Sequence, residues 1–190
     1  PVIDLSAGMP WPKWCIGASM HLQKSLLDRH LDAGRGAREA LVWEGEDGSV
    51  RRLSYAERAA QVNRLASGLQ SLGLRAGDAV GLYLPMVPEV AVAYLALARL
   101  GCVVLPLFSG FGAAAIAALR DDAQAVALIT ADRCLRRGRD IDMKAIADEA
   151  ARDDDIGKTI RYDEVIERIR AELAARHFNL LETLGEYVIG

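Results

Sequence analysis

The sequence predicts an α/β fold in which a partial parallel sheet is flanked by helices on both sides, with a helical piece after it. Three observations carry that prediction. From residue 54 onward strand and helix signals alternate, the strands are short and apolar on both faces, and no tight hairpin turn joins one strand of this stretch to the next. A chain of 190 residues that is 52% hydrophobic and 26% charged has enough apolar surface to bury such a core.

The elements follow in order. Trp11, Pro12 and Trp14 predict an ordered arm anchored by its aromatic rings, and Leu22, Leu26 and Leu27 sit at helical spacing in a helix ending near Asp28-Arg29-His30. Residues 31–38 read as a surface loop, and 40–44 and 50–53 as two short strands around Glu46-Asp47-Gly48-Ser49. Residues 54–72 give the clearest helix. Ser54 and Glu57 form a capping box, Val62, Leu65, Leu69 and Leu72 make one apolar stripe, and Gly73 is suited to the position just past the end. Residues 79–84 form a strand. Pro88 suits the first turn of a helix that stops at Gly101. A strand over 102–107, a helix over 113–121, a strand over 125–130 and a helix over 142–151 complete the alternation. Tyr83, Met86 and Cys102 are expected in the core.

Composition narrows the classes of function. Twenty-three Lys and Arg against 26 Asp and Glu leave a net charge of −3, without the basic excess expected of a protein that lives on nucleic-acid phosphates. Cys15, Cys102 and Cys134 are too few and too scattered for a disulfide framework or a zinc site. The most apolar stretch, 87–108, is interrupted by Glu89 and Arg99 and bracketed by Pro88 and Pro106, so it reads as a buried helix and strand, not a membrane span of ~20 apolar residues. No signal-peptide pattern opens the chain, and a cytoplasmic setting is expected. Composition shifts near residue 152. Residues 153–190 hold five Lys and Arg and nine Asp and Glu, which divides the chain into 1–152 and 153–190. Val165, Ile166, Ile169 and Leu173 predict an amphipathic helix over 162–175, and a second helix starts near Asn179.

In a parallel sheet, ligands sit at the C-terminal edge of the strands. Two features fall there. The loop Phe108-Ser109-Gly110-Phe111-Gly112 follows a buried strand and opens a helix. It is either a tight turn or a place where backbone approaches an anion closely. Arg133, Arg136, Arg137 and Arg139 follow the next strand and are either a solvated charged loop or a set of phosphate-pairing guanidinium groups. His21, His30 and His177 are isolated, without Cys, His or Asp partners at metal-ligand spacing, and no metal site or catalytic residue is assigned. No G-x-x-x-x-G-K-[ST] loop and no Ser/Thr/Gly-rich run ending in Lys is present to hold a nucleoside triphosphate.

Together these pieces resemble the N-terminal part of the acyl-adenylate-forming enzymes, in the acetyl-CoA synthetase branch. The matching residues are Leu27-Asp28-Arg29-His30, Leu53-Ser54-Tyr55, Leu72-Gly73-Leu74 with Gly77-Asp78, and Tyr83-Leu84-Pro85-Met86-Val87-Pro88-Glu89. Ala98-Arg99-Leu100-Gly101-Cys102-Val103, Phe108-Ser109-Gly110-Phe111, Ile129-Thr130-Ala131-Asp132 and Arg136-Arg137-Gly138-Arg139 follow in the same order. The resemblance covers about 1–152 and implies an incomplete Rossmann-like N-terminal subdomain. It implies a ligase that joins a carboxylic acid to CoA through an acyl-adenylate, with ATP and Mg²⁺ used only by a full-length relative. Phe108, Ser109, Gly110, Arg136 and Arg139 are the residues it implies for CoA or another anionic nucleotide. The family's phosphate loop, acid-binding motifs and catalytic C-terminal domain lie beyond the matched stretch, so a fragment that does not catalyse the full reaction alone is expected.

Residues 153–190 resemble dihydroneopterin aldolase. The matching residues are Asp155, Thr159-Ile160-Arg161-Tyr162 and Phe178-Asn179-Leu180-Leu181-Glu182-Thr183-Leu184-Gly185-Glu186. This resemblance implies a fusion carrying part of a tunnelling fold, with Tyr162, Leu181 and Glu182 on a pterin. A non-catalytic remnant or interaction module is the third reading. No nucleic-acid or membrane partner is expected. A truncated sheet leaves apolar surface uncovered, which predicts self-association through the sheet edge or the tail.

Overall fold

A computed structural model describes residues 2–151 and the backbone of 159–161. Its centre is a parallel sheet built from β5 (Ala79–Tyr83), β6 (Val103–Pro106) and β7 (Ala127–Thr130), with β10 (Thr159–Arg161) added beside β7. The strand order is β10-β7-β5-β6, and each adjacent pair runs parallel. β5 lies centrally, with Gly81 opposite Leu105 on one side and Leu128 on the other.

Side chains alternate across this sheet and build two cores. Val80, Leu82 and Leu84 join Ala127 and Ile129 on one face, beneath α2 (Tyr55–Ser71) and α3 (Pro88–Leu100). Tyr83, Leu107 and Leu128 face the other way, beneath α4 (Ala113–Asp122) and α5 (Met143–Ala151), where Ile116, Met143 and Ala147 are fully buried. A strand apolar on both faces is therefore a strand with a helix layer on each face.

The helix boundaries have local causes. The Ser54 hydroxyl accepts from Glu57 N while the Glu57 carboxylate accepts from Ser54 N, so the capping box is complete. Pro88 opens α3, and Gly101 ends it in the left-handed conformation at φ 74°. Further toward the N-terminus, a π-helical turn over Lys24–Asp28 runs into α1 (Arg29–Asp32), which ends two residues past His30. His30 stacks on Tyr55 with ring centroids 4.3 Å apart.

Three expectations are corrected. The N-terminal arm is ordered by backbone pairing of β1 (Ile3–Asp4) with β2 (Lys13–Trp14), and not by its rings, since Trp11 and Trp14 are 72% and 64% exposed. Met86 is 82% exposed, because it lies in the turn between β5 and α3, where the chain leaves the sheet. The segment that carries Arg133, Arg136, Arg137 and Arg139 is not a charged loop. It forms a tight hairpin of β8 (Arg133–Arg136) and β9 (Arg139–Asp142), closed by Arg137 and Gly138 at φ 51° and 71°. A second hairpin, β3 (Glu39–Glu44) with β4 (Val50–Ser54), lies where two short strands were expected. The helices expected over 162–175 and after 179, the division at 152 and the tunnelling-fold piece lie outside the described residues. The backbone of β10 pairs Thr159 with Leu128, so the sheet takes a strand from beyond residue 152.

Candidate functional site

The C-terminal ends of β5, β6 and β7 open onto a cleft of about 550 Å³. Its walls are the β3–β4 turn with Trp43, the segment 85–87, Phe108 with Ser109, and strand β8.

The loop after β6 is held from below. Leu107 N donates to Leu82 O at 3.1 Å, and the chain then turns, with Phe111 N donating to Phe108 O at 2.9 Å, before α4 starts. Tyr83, fully buried at the end of β5, reaches up and donates its hydroxyl to Phe111 O at 3.1 Å, with Ser109 O at 3.5 Å. A buried phenol needs such a partner. Burial pushes its pKa up, the Cys134 thiol adds to the rise, and the Arg136 charge opposes it.

Strand β8 supplies the opposite wall. Its alternation puts Cys134 inside, where burial raises the thiol pKa, and sets Arg136 half-buried on the same side. The Arg136 guanidinium carbon stands 4.7 Å from the centroid of the Phe108 ring. Gly110 lies directly beneath. A Cβ at residue 110 would fall on Arg136 Nη1 and 2.7 Å from Phe108 Cε1, so only glycine leaves room for this stack.

Glu44, Glu46, Asp47, Arg133 and Arg136 are the charged side chains that line the cleft, and most of them have partners within the protein. Arg133 pairs with Asp140 through both Nε and Nη2. Asp47 accepts from Ser49 N and Oγ. Glu46 accepts from the backbone N–H groups of Arg137 and Gly138, at 3.0 and 3.4 Å. Arg136 has no carboxylate partner among the described residues, so its fork is free to pair with an incoming anion.

Of the residues singled out from sequence, Phe108, Ser109, Gly110 and Arg136 come together. Arg139 sits opposite Arg136 on the neighbouring strand, exposed, and outside the cleft lining. Tyr162, Leu181 and Glu182 lie outside the described residues. Tyr83, Trp43 and Glu46 were not singled out as site residues. For Tyr83 a signal existed, namely a hydroxyl in an apolar strand that ends at the ligand edge. Among the described residues no group of three His, Cys, Asp or Glu side chains could hold a metal ion, and no helix is long and apolar enough to cross a membrane.

A helix-covered parallel sheet whose strand ends carry a glycine-containing loop and an arginine stacked on a phenylalanine defines an α/β protein with a cleft at the C-terminal edge of its sheet. The chain belongs to the AMP-binding enzyme family, whose model matches residues 28–179. It is 48% identical to the acetyl-coenzyme A synthetase of Mycobacterium tuberculosis (strain ATCC 25618 / H37Rv) over 150 residues, covering 78% of this chain and 23% of that protein. The acetyl-coenzyme A synthetase of Deinococcus radiodurans is 44% identical over 143 residues, 75% of this chain and 22% of its own. That of Streptomyces avermitilis is 41% identical over 166 residues, 87% of this chain and 25% of its own. The chain thus spans about a quarter of the length of these curated relatives.

Proposed function

We propose that this chain is the N-terminal part of an acid–CoA ligase of the acetyl-CoA synthetase type and that its sheet edge binds CoA. The observation that carries the reading is Arg136, a guanidinium with no carboxylate partner among the described residues, stacked on Phe108 over the bare backbone of Gly110. Names of the relatives supply the ligand class. Arg136 offers two parallel N–H groups to a phosphate oxygen pair, and Arg139 on the adjoining strand adds positive charge at the same hairpin. Phe108 and Trp43 give the cleft apolar walls against which a nucleotide base or pantetheine arm can lie. ATP and Mg²⁺ supply acid activation in a full-length relative. The part of the described residues is to bind and orient.

A thermal-shift titration tests the reading. CoA at a hundredfold excess over its Kd stabilises the folded chain by ~2.7 kcal/mol, so the melting temperature rises with CoA. The double variant Arg136→Glu, Arg139→Glu removes that rise. An equal rise in the double variant, or none in the unaltered chain, overturns the reading. The pterin alternative on Tyr162, Leu181 and Glu182 has no described geometry behind it, and neopterin serves as the control ligand.

A further inference from the structure

We infer that Glu46 is a positioning residue for this edge: its carboxylate latches the tip of the β8–β9 hairpin across the cleft and so fixes where Arg136 stands. The inference rests on the CoA reading for its functional consequence.

Arg137 and Gly138 occupy the two left-handed positions of the hairpin turn. In such a turn their N–H groups point away from the ladder and have no strand partner. Both are taken by one carboxylate from 91 residues earlier in the chain, with Arg137 N donating to Glu46 Oε1 at 3.0 Å and Gly138 N to Oε2 at 3.4 Å. Glu46 can act as a latch because the strand residues beside its own turn are anchored. Trp43 Nε1 donates to Met86 O at 2.6 Å, and Arg51 pairs with Glu89 at 2.6 Å, which ties the β3–β4 hairpin to the segment between β5 and α3 and to the first turn of α3. The turn end of the β3–β4 hairpin therefore reaches both walls of the cleft, tied through Trp43 and Arg51 to residues 86 and 89 and through Glu46 to the β8–β9 tip. Arg136 is the residue next to that tip.

The sign of the effect separates this role from a bystander's. A carboxylate near an anion site repels the ligand, so if Glu46 were only a nearby charge, its removal would tighten CoA binding. As a latch, its removal weakens binding although the site becomes more positive. Glu46→Gln keeps an acceptor oxygen and drops the charge, while Glu46→Ala drops both. The β8–β9 hairpin keeps its own ladder and the Arg133–Asp140 pair in either variant.

The experiment titrates the unaltered chain, Glu46→Gln and Glu46→Ala with CoA. It also measures amide hydrogen exchange of Arg137 and Gly138 by NMR without ligand. Glu46→Ala is expected to weaken CoA binding about tenfold, the loss that one misplaced charge-assisted contact produces. Glu46→Gln is expected to bind at least as well as the unaltered chain, and the two amides to exchange at least about fivefold faster in Glu46→Ala. Unchanged or tighter CoA binding by Glu46→Ala overturns the positioning role. If the unaltered chain binds no CoA, the CoA reading fails on its own, and the amide rates decide the latch. Unchanged exchange at Arg137 and Gly138 overturns it, and accelerated exchange upholds it. Matching melting temperatures of the three proteins exclude global unfolding as the cause.

Discussion

A methyl group at residue 110 cannot be placed without moving the Arg136 guanidinium, because the two would occupy the same space. The atoms that must shift are the end of the Arg136 side chain and the exposed Phe108 ring, so the cost falls on the site and not on the fold. Gly110→Ala is therefore expected to leave the melting temperature within a degree or two and to weaken CoA binding about tenfold, as a misplaced guanidinium should. Calorimetric titration beside a melting curve checks both halves, and equal affinity would mean that the stack on Phe108 is dispensable. Tyr83→Phe has the opposite profile. It removes the hydroxyl that holds Phe111 O and costs about 1 kcal/mol of stability, measurable by urea unfolding. At this scale the sequence revealed residues that adjoin one another along the chain. Phe108, Ser109 and Gly110 stand together, and Arg136 belongs to a basic run. Glu46 and Trp43 reach the same cleft from a different hairpin, and nothing in their own neighbourhood records a partner 43 or 91 residues away.

Elements with their own punctuation formed where their caps put them. In α2, Ser54 and Glu57 exchange hydrogen bonds, and Ser54→Ala is expected to cost about 1 kcal/mol, read from chemical denaturation. The same box sets a pH dependence. Hydrogen bonds from Ser54 N and Oγ hold the Glu57 carboxyl below its ordinary value of 4.5. A carboxyl depressed in the folded state stabilises the fold above its unfolded pKa, and that contribution is lost as pH falls through the lower folded value. The melting-temperature gap between the unaltered chain and Glu57→Ala should thus be full at neutral pH and close below about pH 4.5. A gap that stays constant down to pH 3 would remove the carboxylate from the account. The β8–β9 hairpin is hard to read from sequence because four arginines mask its period. Cys134 and Ile141 alternate with exposed neighbours around Arg137-Gly138, which is a strand–turn–strand pattern. The glycine takes the second left-handed position of the turn and Arg137 the first, where asparagine or aspartate is the usual signal. The N-terminal arm misled in the other direction. Tryptophan usually marks burial, yet here two short strands pair through backbone and leave the rings outside.

Across the whole molecule, two apolar cores are closed while some apolar surface remains open, and the location of that surface determines what the chain does in solution. Strand β6 ends the sheet among the described residues and exposes Val103, so self-association through that edge is one route. The arm is the stronger one. Of the 18 large apolar side chains exposed among the described residues, eight lie within the first 20 positions, including Trp11, Trp14, Met9 and Met20. β6 contributes only four residues, and two of them are already half-buried. Burial of apolar area drives association more than a short ladder does, because ladder hydrogen bonds largely replace hydrogen bonds to water. Sedimentation velocity should therefore show concentration-dependent association. The double variant Trp11→Ser, Trp14→Ser should shift the chain toward monomer, while Val103→Lys should have little effect. The reverse result would place the contact on the sheet edge. No association at any concentration would mean that the eight side chains are too dispersed over the arm to form a continuous patch. Because the arm lies outside both cores and away from the cleft lining, the serine variants should titrate with CoA as the unaltered chain does, which separates assembly from ligand binding in one pair of measurements.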